Sequence, residues 1–583
     1  MSVSVRGSAL SVCVLFVLIS TISSAIEENQ PQQAPFNSQL PQDKDFNKTF
    51  EDHALLIGMN LSGLNLSGTR LNHSELQGSD LRGTNFRRSF LMQSTISDAK
   101  LIGANLSGAF MPAVDLHGSD LSYADLRGAY LPISYMIDSN LTGADLSGSF
   151  MDQAMADNST LVGAKLDGAS LWAVKISNAN LTGASFVKAF LARASFERSQ
   201  LNGANLTGAN LVGANLINAT ISDADLSDID LSESRCSRAN FFGSRLVKSK
   251  LGSTNLTSSN LSMANLSGSY LAASTLDASD LTKANLTGAN LENAFMHRVR
   301  LVGAKLINAS LSGARMDDSD LSNSYLQQAD LTSASLNGAN LTGANLNGAR
   351  LLGADLSLAV LKSVSLDGTN LLGAKLNWAN LGDSILTNCQ FTRAELFGAN
   401  LSNCDLTNSD FTRSYLVRAN LFRSNLGKTK FESADLTGAN LSKTSLIEAS
   451  LTGTNLNDAD LSGADLSGVN LDSTNMKRIV MHRAMLRSAV LNMISLEDAD
   501  LSEADLRNIR FHVVFMTNVN LSGADLRNAD FNTTGLHGVD LRRANLLGIK
   551  YDKISLPFIA ASNLEGAKMS ADLQKDIEKI RSG

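Results

Sequence analysis

The 583-residue chain holds four cysteines, six prolines, two tryptophans and seven histidines, and each scarcity closes off a kind of protein. Four cysteines, one of them Cys13 in an N-terminal leader, are too few for a disulfide-stapled scaffold. The histidines (His53, His73, His117, His297, His482, His512 and His537) are dispersed, and none pairs at metal-ligand spacing. No CxxC, HExxH, phosphate loop or GxSxG occurs. Serine and aspartate are abundant, but they are spread evenly, and no pair of carboxylates stands apart from that background. The sequence therefore points to a protein that is not an enzyme and holds no cofactor. Aromatic residues make up only 5% of the chain, so the places where they gather carry information.

What is present in excess is a period. In "ANLTGANLNGARLLGADL", Ala339 to Leu356, leucine falls on every fifth residue, with alanine two places before each. Five helical steps turn 500°, which would scatter the leucines round the cylinder. In a strand, five is odd and each repeat would send its leucine to the opposite face. One core can be shared only if the backbone turns a corner once per repeat, and the glycines two places after a leucine, such as Gly343 and Gly348, suit that corner. From residue 56 to residue 556 every fifth position reads as a repeat centre, giving about 101 repeats, roughly 78 of them centred on leucine. Ala156 and Cys236 are the small exceptions.

The non-leucine centres give the number of repeats per turn of the coil. Phe391, Phe411 and Phe431 are twenty residues apart, as are Phe511, Phe531 and Tyr551. Four repeats per coil would stack each trio inside one wall, whereas three would scatter them. Twenty residues per coil predicts about 25 coils and, at the ~4.8 Å strand spacing, a rod on the order of 120 Å long. Cys389 and Cys404, fifteen residues apart, then fall on different walls, and no disulfide is expected between them.

The run "ADLSGADLSGVNL", Ala459 to Leu471, resembles the A(D/N)Lxx motif of the pentapeptide repeat proteins, and the resemblance covers residues 56–556. It implies an all-β fold, a right-handed quadrilateral β-helix. A fold does not carry a function by itself. Some members of that family protect DNA gyrase as acidic mimics of duplex DNA, which supplies an alternative function: inhibitor or protector of a nucleic-acid enzyme.

The ends read differently. Residues 1–25 have the form of a secretory signal: Arg6, an apolar run from Leu10 to Ile22, and small residues at Ser23 to Ala25. The apolar run is too short for a comfortable membrane span, and none is expected after cleavage. Residues 26–55 read as a Pro/Gln-rich linker and N-terminal cap, residues 56–560 as the solenoid, and residues 561–583 as a C-terminal cap. Leu573, Ile577 and Ile580 behind Ser570 predict a short helix that covers the last coil. Export places the protein in a periplasm, outside the cell, or in an organelle lumen such as the thylakoid.

Once Arg6 leaves with the signal, 48 basic side chains face 56 acidic ones, a net charge of −8. That is one net charge per ~15 Å of rod against one per ~1.7 Å of duplex, so nucleic-acid mimicry and nucleic-acid partners are disfavoured. A different feature stands out. The residue before each centre faces solvent and is usually Asn or Asp, yet Phe90, Phe110, Tyr130, Phe150 and Phe190 occupy that place on one wall. Met92, Pro112, Pro132 and Trp172 lie two residues further on and are expected to point outward as well. The result is an apolar strip ~25 Å long, of the kind that marks a contact. Its expected occupant is a protein partner or a second copy of the chain. The linker from Phe36 to Phe50, folded back, and a glycan or envelope surface are the open alternatives. The reading is an exported, non-enzymatic scaffold or protein-interaction rod.

Overall fold

The computed structural model describes residues 50–582. The signal-like stretch expected at residues 1–25 and the linker expected up to residue 49 lie outside the described residues.

Each repeat is a β-turn followed by one bridging residue. Leu56 accepts the N–H of Met59 at 3.3 Å, and Gly58 between them has φ +65°, the left-handed third position of a type II turn. Gly343 and Gly348 stand at the same place with φ +69° and +67°. The residue before each centre then bridges in parallel to the residue twenty further on, from Leu55 with Glu75 to Asp530 with Lys550. Four corners therefore make one rung, as the aromatic spacing requires. Leu56 N–H donates to Glu75 C=O at 2.7 Å, and Glu75 N–H donates to Ala54 C=O at 2.9 Å. Every rung thus satisfies the backbone of the one before it.

The centre and the residue two before it point inward together. Leu341 and Ala339 are fully buried, and so are Ala156 and Cys236 at the small centres. Each buried leucine contributes about 1.5–3 kcal/mol. Phe391, Phe411 and Phe431 form the expected internal stack, with ring centroids 4.5 and 5.2 Å apart and planes within 12° of parallel. Phe511 and Phe531 pack at 4.9 Å. Tyr551 does not extend their column: it is half-buried, and its hydroxyl donates to Asp576 at 2.8 Å.

Buried serines knit coil to coil where a turn opens. Ser119 Oγ accepts from Ala99 N–H at 3.1 Å and donates to Ile96 C=O at 2.6 Å, filling the gap in a turn that has no direct bond of its own. Ser409 does the same for Cys389 and Leu386, and Ser424 for Cys404 and Leu401. Around Ile494 and Val514 the inter-coil pairing becomes continuous, giving strands β1 (Val490–Glu497) and β2 (Arg510–Thr517), which pair in parallel, with β3 (Gly535–His537) beyond; Met493 and Val513 keep the positive φ of the corner.

The ends are plugged by different means. In the first coil Met59 and Leu64 take the position that alanine holds elsewhere, and together with buried Phe50 they fill the foot of the core. At the other end the five-residue register stops short of residue 560. Asp552 Oδ1 accepts the N–H groups of Ile554 and Ser555, and helix α1 (Ser555–Ala561) follows, with Pro557 tolerated in its first turn. Helix α2 (Ala571–Ser582) starts at Ser570, whose Oγ accepts Leu573 N–H at 3.3 Å. It buries Leu573 and Ile577. Ile580, expected on the same stripe, is exposed. Arg581 ties the helices together by donating to the carbonyls of Ala560 and Ser562. Among the described residues no helix is long and apolar enough to cross a membrane.

Cys236, Cys389 and Cys404 are buried and unbridged, and burial pushes all three thiols up to about 12.

Candidate functional site

The outward column that carries the bridges runs Arg70, Phe90, Phe110, Tyr130, Phe150, Ser170, Phe190, Asn210. Its position is fixed by the backbone: each of these residues is bonded above and below, so its side chain can only project outward. Phe110 and Tyr130 stack face to face, with centroids 5.2 Å apart and planes 4° from parallel. Phe90 and Phe150 tilt against the two ends of that pair, with centroids at 6.2 and 6.0 Å. These rings remain exposed, Phe150 by 51%. At the foot of the column the Arg70 guanidinium lies 6.0 Å over the Phe90 ring, within reach of a cation–π attraction.

The sequence-derived strip is brought together only in part. Ser170 separates Phe190 from Phe150. Trp172 stands beside that gap, half-buried, and its backbone N–H donates to Asp152 Oδ1, which also accepts the Ser170 hydroxyl. Met92 and Pro112 are half-buried. Pro132, expected to point outward, is buried between Pro112 and Asp152 of the neighbouring coils.

The surface also extends where the sequence reading did not follow it. Round the next corner lie Ile133 with φ +57°, exposed Tyr135 and half-buried Met155. The twenty-residue register would have found Tyr135 and Met155, which are bridged partners in the adjacent column. On the other margin Gly128, Gly148 and Gly168 leave open space where a side chain would stand, forming a low shelf beside the rings. The surface is therefore a ridge of four aromatic rings with a bare margin on one side and an apolar margin on the other. It holds no acid, base or nucleophile in a reactive arrangement. Among the described residues, no group of His, Cys, Asp and Glu is placed to hold a metal ion.

A minority of the acidic side chains elsewhere are paired with arginine or lysine in place. Asp80 with Arg82, Asp125 with Arg127, and Asp540 with Arg542 form close pairs two residues apart. Near the C-terminal end, Arg487, Asp505, Arg507, Asp525 and Arg527 alternate in one ladder. The Arg507 guanidinium, opposed in part by desolvation and joined by Arg487, brings the Asp505 carboxyl down to about 2.

The repeat is matched by a family model. The family model described as pentapeptide repeats matches segments from residue 52 to residue 483 with short breaks, and again residues 516–548. The long gap, 484–515, includes β1 and the start of β2. No curated protein matches the chain. Among solved structures it is similar to HetL, a pentapeptide repeat protein involved in heterocyst differentiation regulation from the cyanobacterium Nostoc sp. The identity is 32% over 44% of this chain and 89% of that one, with a TM-score of 0.15. It is similar to a pentapeptide repeat protein from the Arabidopsis thaliana thylakoid lumen, at 35% identity over 20% of this chain and 66% of that one, with a TM-score of 0.10. QnrB1, a plasmid-mediated fluoroquinolone resistance protein, is 16% identical over 37% of this chain and 96% of that one, with a TM-score of 0.18. The chain belongs to the pentapeptide repeat family, whose fold is the right-handed quadrilateral β-helix.

Proposed function

We propose that the protein is an exported, non-enzymatic scaffold: a rod of about 25 coils, on the order of 120 Å long at the ~4.8 Å strand spacing, that contacts a protein partner or a second copy through the aromatic column near its N-terminal third. One observation carries this reading. In the positions where the repeat normally places Asn or Asp, Phe90, Phe110, Tyr130 and Phe150 stack in an unbroken exposed file. Exposed apolar residues scattered singly mean little, but a contiguous file of rings costs solubility and is characteristic of a contact surface. Export rests on the signal-like first 25 residues.

The test is the double change Phe110→Ser and Phe150→Ser. Both side chains are exposed, so the coil keeps its core. Loss of self-association in sedimentation, or loss of a specific crosslinked partner, is the expected result. Unchanged oligomer size and unchanged partners would refute the role of the column. The acidic-mimic alternative is weakened by the Asp–Arg pairing along the rod. Cell fractionation of a tagged chain separates the two readings, because a mimic must stay with the nucleic-acid enzyme.

A further inference from the structure

The aromatic column is its own complement under a two-fold turn. Its midpoint lies between Phe110 and Tyr130, the pair whose planes are 4° from parallel. Below the midpoint come Phe90 and then Arg70; above it come Phe150 and then Ser170. When one copy is turned end over end and laid on another, Phe90 of one chain falls on Phe150 of the other, and Phe110 on Tyr130. Arg70 then falls on Ser170, the small residue that interrupts the file and leaves room for a guanidinium. A patch that matches itself in this way meets the condition for a closed dimer, in which the same surface serves both subunits.

The two ends of the column differ in charge. Arg70, Arg87 and Arg88 are exposed around its foot and enter no ion pair among the described residues. The head is acidic. Asp152 accepts the Ser170 hydroxyl at 2.7 Å and the Trp172 backbone N–H at 3.0 Å. Asp167, at the corner before Ser170, accepts the Val187 N–H at 2.9 Å. Neither carboxylate has a cationic partner among the described residues. Arg127, at mid-height, is already held by Asp125 at 2.7 Å, and Lys188 and Arg193 lie one coil above the head, beyond the overlap.

We propose that the column's occupant is a second copy of this chain, packed antiparallel, so that the basic foot of each column lies on the acidic head of the other. The proposal rests on the reading of the column as a contact surface and names what it contacts. A parallel pair would bury the same rings, but it would set the three arginines of one foot against the three of the other, which opposes association. Antiparallel packing instead places one foot-to-head contact at each end of the ring file, about 24 Å apart over the five coils from Arg70 to Ser170. Beside the rings, Gly128 and Gly148 leave open space, so the partner's rings can sit alongside Tyr130 and Phe150 rather than above them.

The experiment uses the full chain with Cys13→Ser, so that only the three buried cysteines remain, and adds single cysteines on the surface. Gln93 and Gln153 follow Phe90 and Phe150 by three residues each, on one margin and at matching heights below and above the midpoint. With the two faces about 10 Å apart, a bismaleimide of that span is expected to join Gln93→Cys to Gln153→Cys when the two chains are mixed, and to join neither variant to itself. Arg70→Glu/Arg88→Glu should cut the mixed product severalfold, and so should Phe110→Ser/Phe150→Ser. Self-coupling of Asn210→Cys, in the polar stretch above the ridge, would show a parallel pair and overturn the antiparallel assignment. No coupling at any of these positions, with the chain monomeric in sedimentation, would overturn the second copy as occupant. The contact reading survives that result when a different partner, crosslinked in the native chain, is lost with the rings. It fails separately, if neither the mixed product nor any partner responds to their loss.

Discussion

Phe110 and Tyr130 lie 5.2 Å apart and within 4° of parallel on the outside of the rod, while Phe391 and Phe411 lie 4.5 Å apart and within 5° of parallel on the inside. One coil step produces both stacks. They differ only in whether the aromatic residue stands at the repeat centre or one place before it. A one-residue shift in register turns a core contact into a surface ridge, and this is the sense in which position in the five-residue unit determines role.

The inner stack predicts a stability effect. Phe411→Ala removes a fully buried ring from between two others and should destabilise by about 3–5 kcal/mol. The loss should be concentrated in the neighbouring coils, because each coil contacts only the next. Amide hydrogen exchange across residues 391–435 checks it, and uniform loss along the rod would be the wrong pattern.

The serine bridge predicts a contrast between two chemically identical changes. Ser119→Ala leaves the Ala99 N–H and the Ile96 C=O buried without the hydroxyl that joins them, a cost of about 1–3 kcal/mol. Ser414 only back-bonds to Phe411 C=O in a turn that already has its own N–H bond at 3.0 Å. Ser414→Ala should therefore be close to neutral. Urea midpoints of the two variants are the measurement.

Two pH windows follow from the displaced titrations. His73 stacks on His53 with centroids 5.1 Å apart, and burial first, then His53, lowers it below its ordinary 6.5, against a smaller upward pull from Asp52. The folded form favours neutral His73, so the first coils should lose stability as pH falls below 6.5, and His73→Gln should flatten that slope. Asp505 is displaced from 3.8 down to about 2. Its contribution is complete above pH 4 and is lost as pH falls toward 2, and Asp505→Asn removes that dependence. Exchange rates near each site at pH 7, 5 and 3 read the two windows separately.

The buried thiols predict silence. Cys236, Cys389 and Cys404, with thiols pushed up to about 12, should resist maleimide in the native rod and react fully in denaturant. Peptide mass spectrometry distinguishes the three sites.

The twenty-residue rung was legible because leucine, alanine and glycine each recur at one position of the repeat, and because Phe391, Phe411 and Phe431 mark a single wall. What was not legible depended on neighbours in space. The outward position of Pro132 is covered by the adjacent coils. Whether Ser119 bridges an open turn or merely fills a small site is decided by the turn below it. At residues 555–561 the five-residue pattern persists by number, yet Asp552 accepts the N–H groups of Ile554 and Ser555 and a helix forms there, before Asn563 and Lys568 bridge back to the preceding coil.

The most direct measurement compares one column at two heights. Benzophenone-alanine is placed at Phe110, within the ridge, or at Asn210, in the polar stretch of the same column, and each intact chain is irradiated in its own compartment. The account predicts a single saturable adduct from position 110 and none from position 210. Equal, unsaturable background from both positions would contradict it.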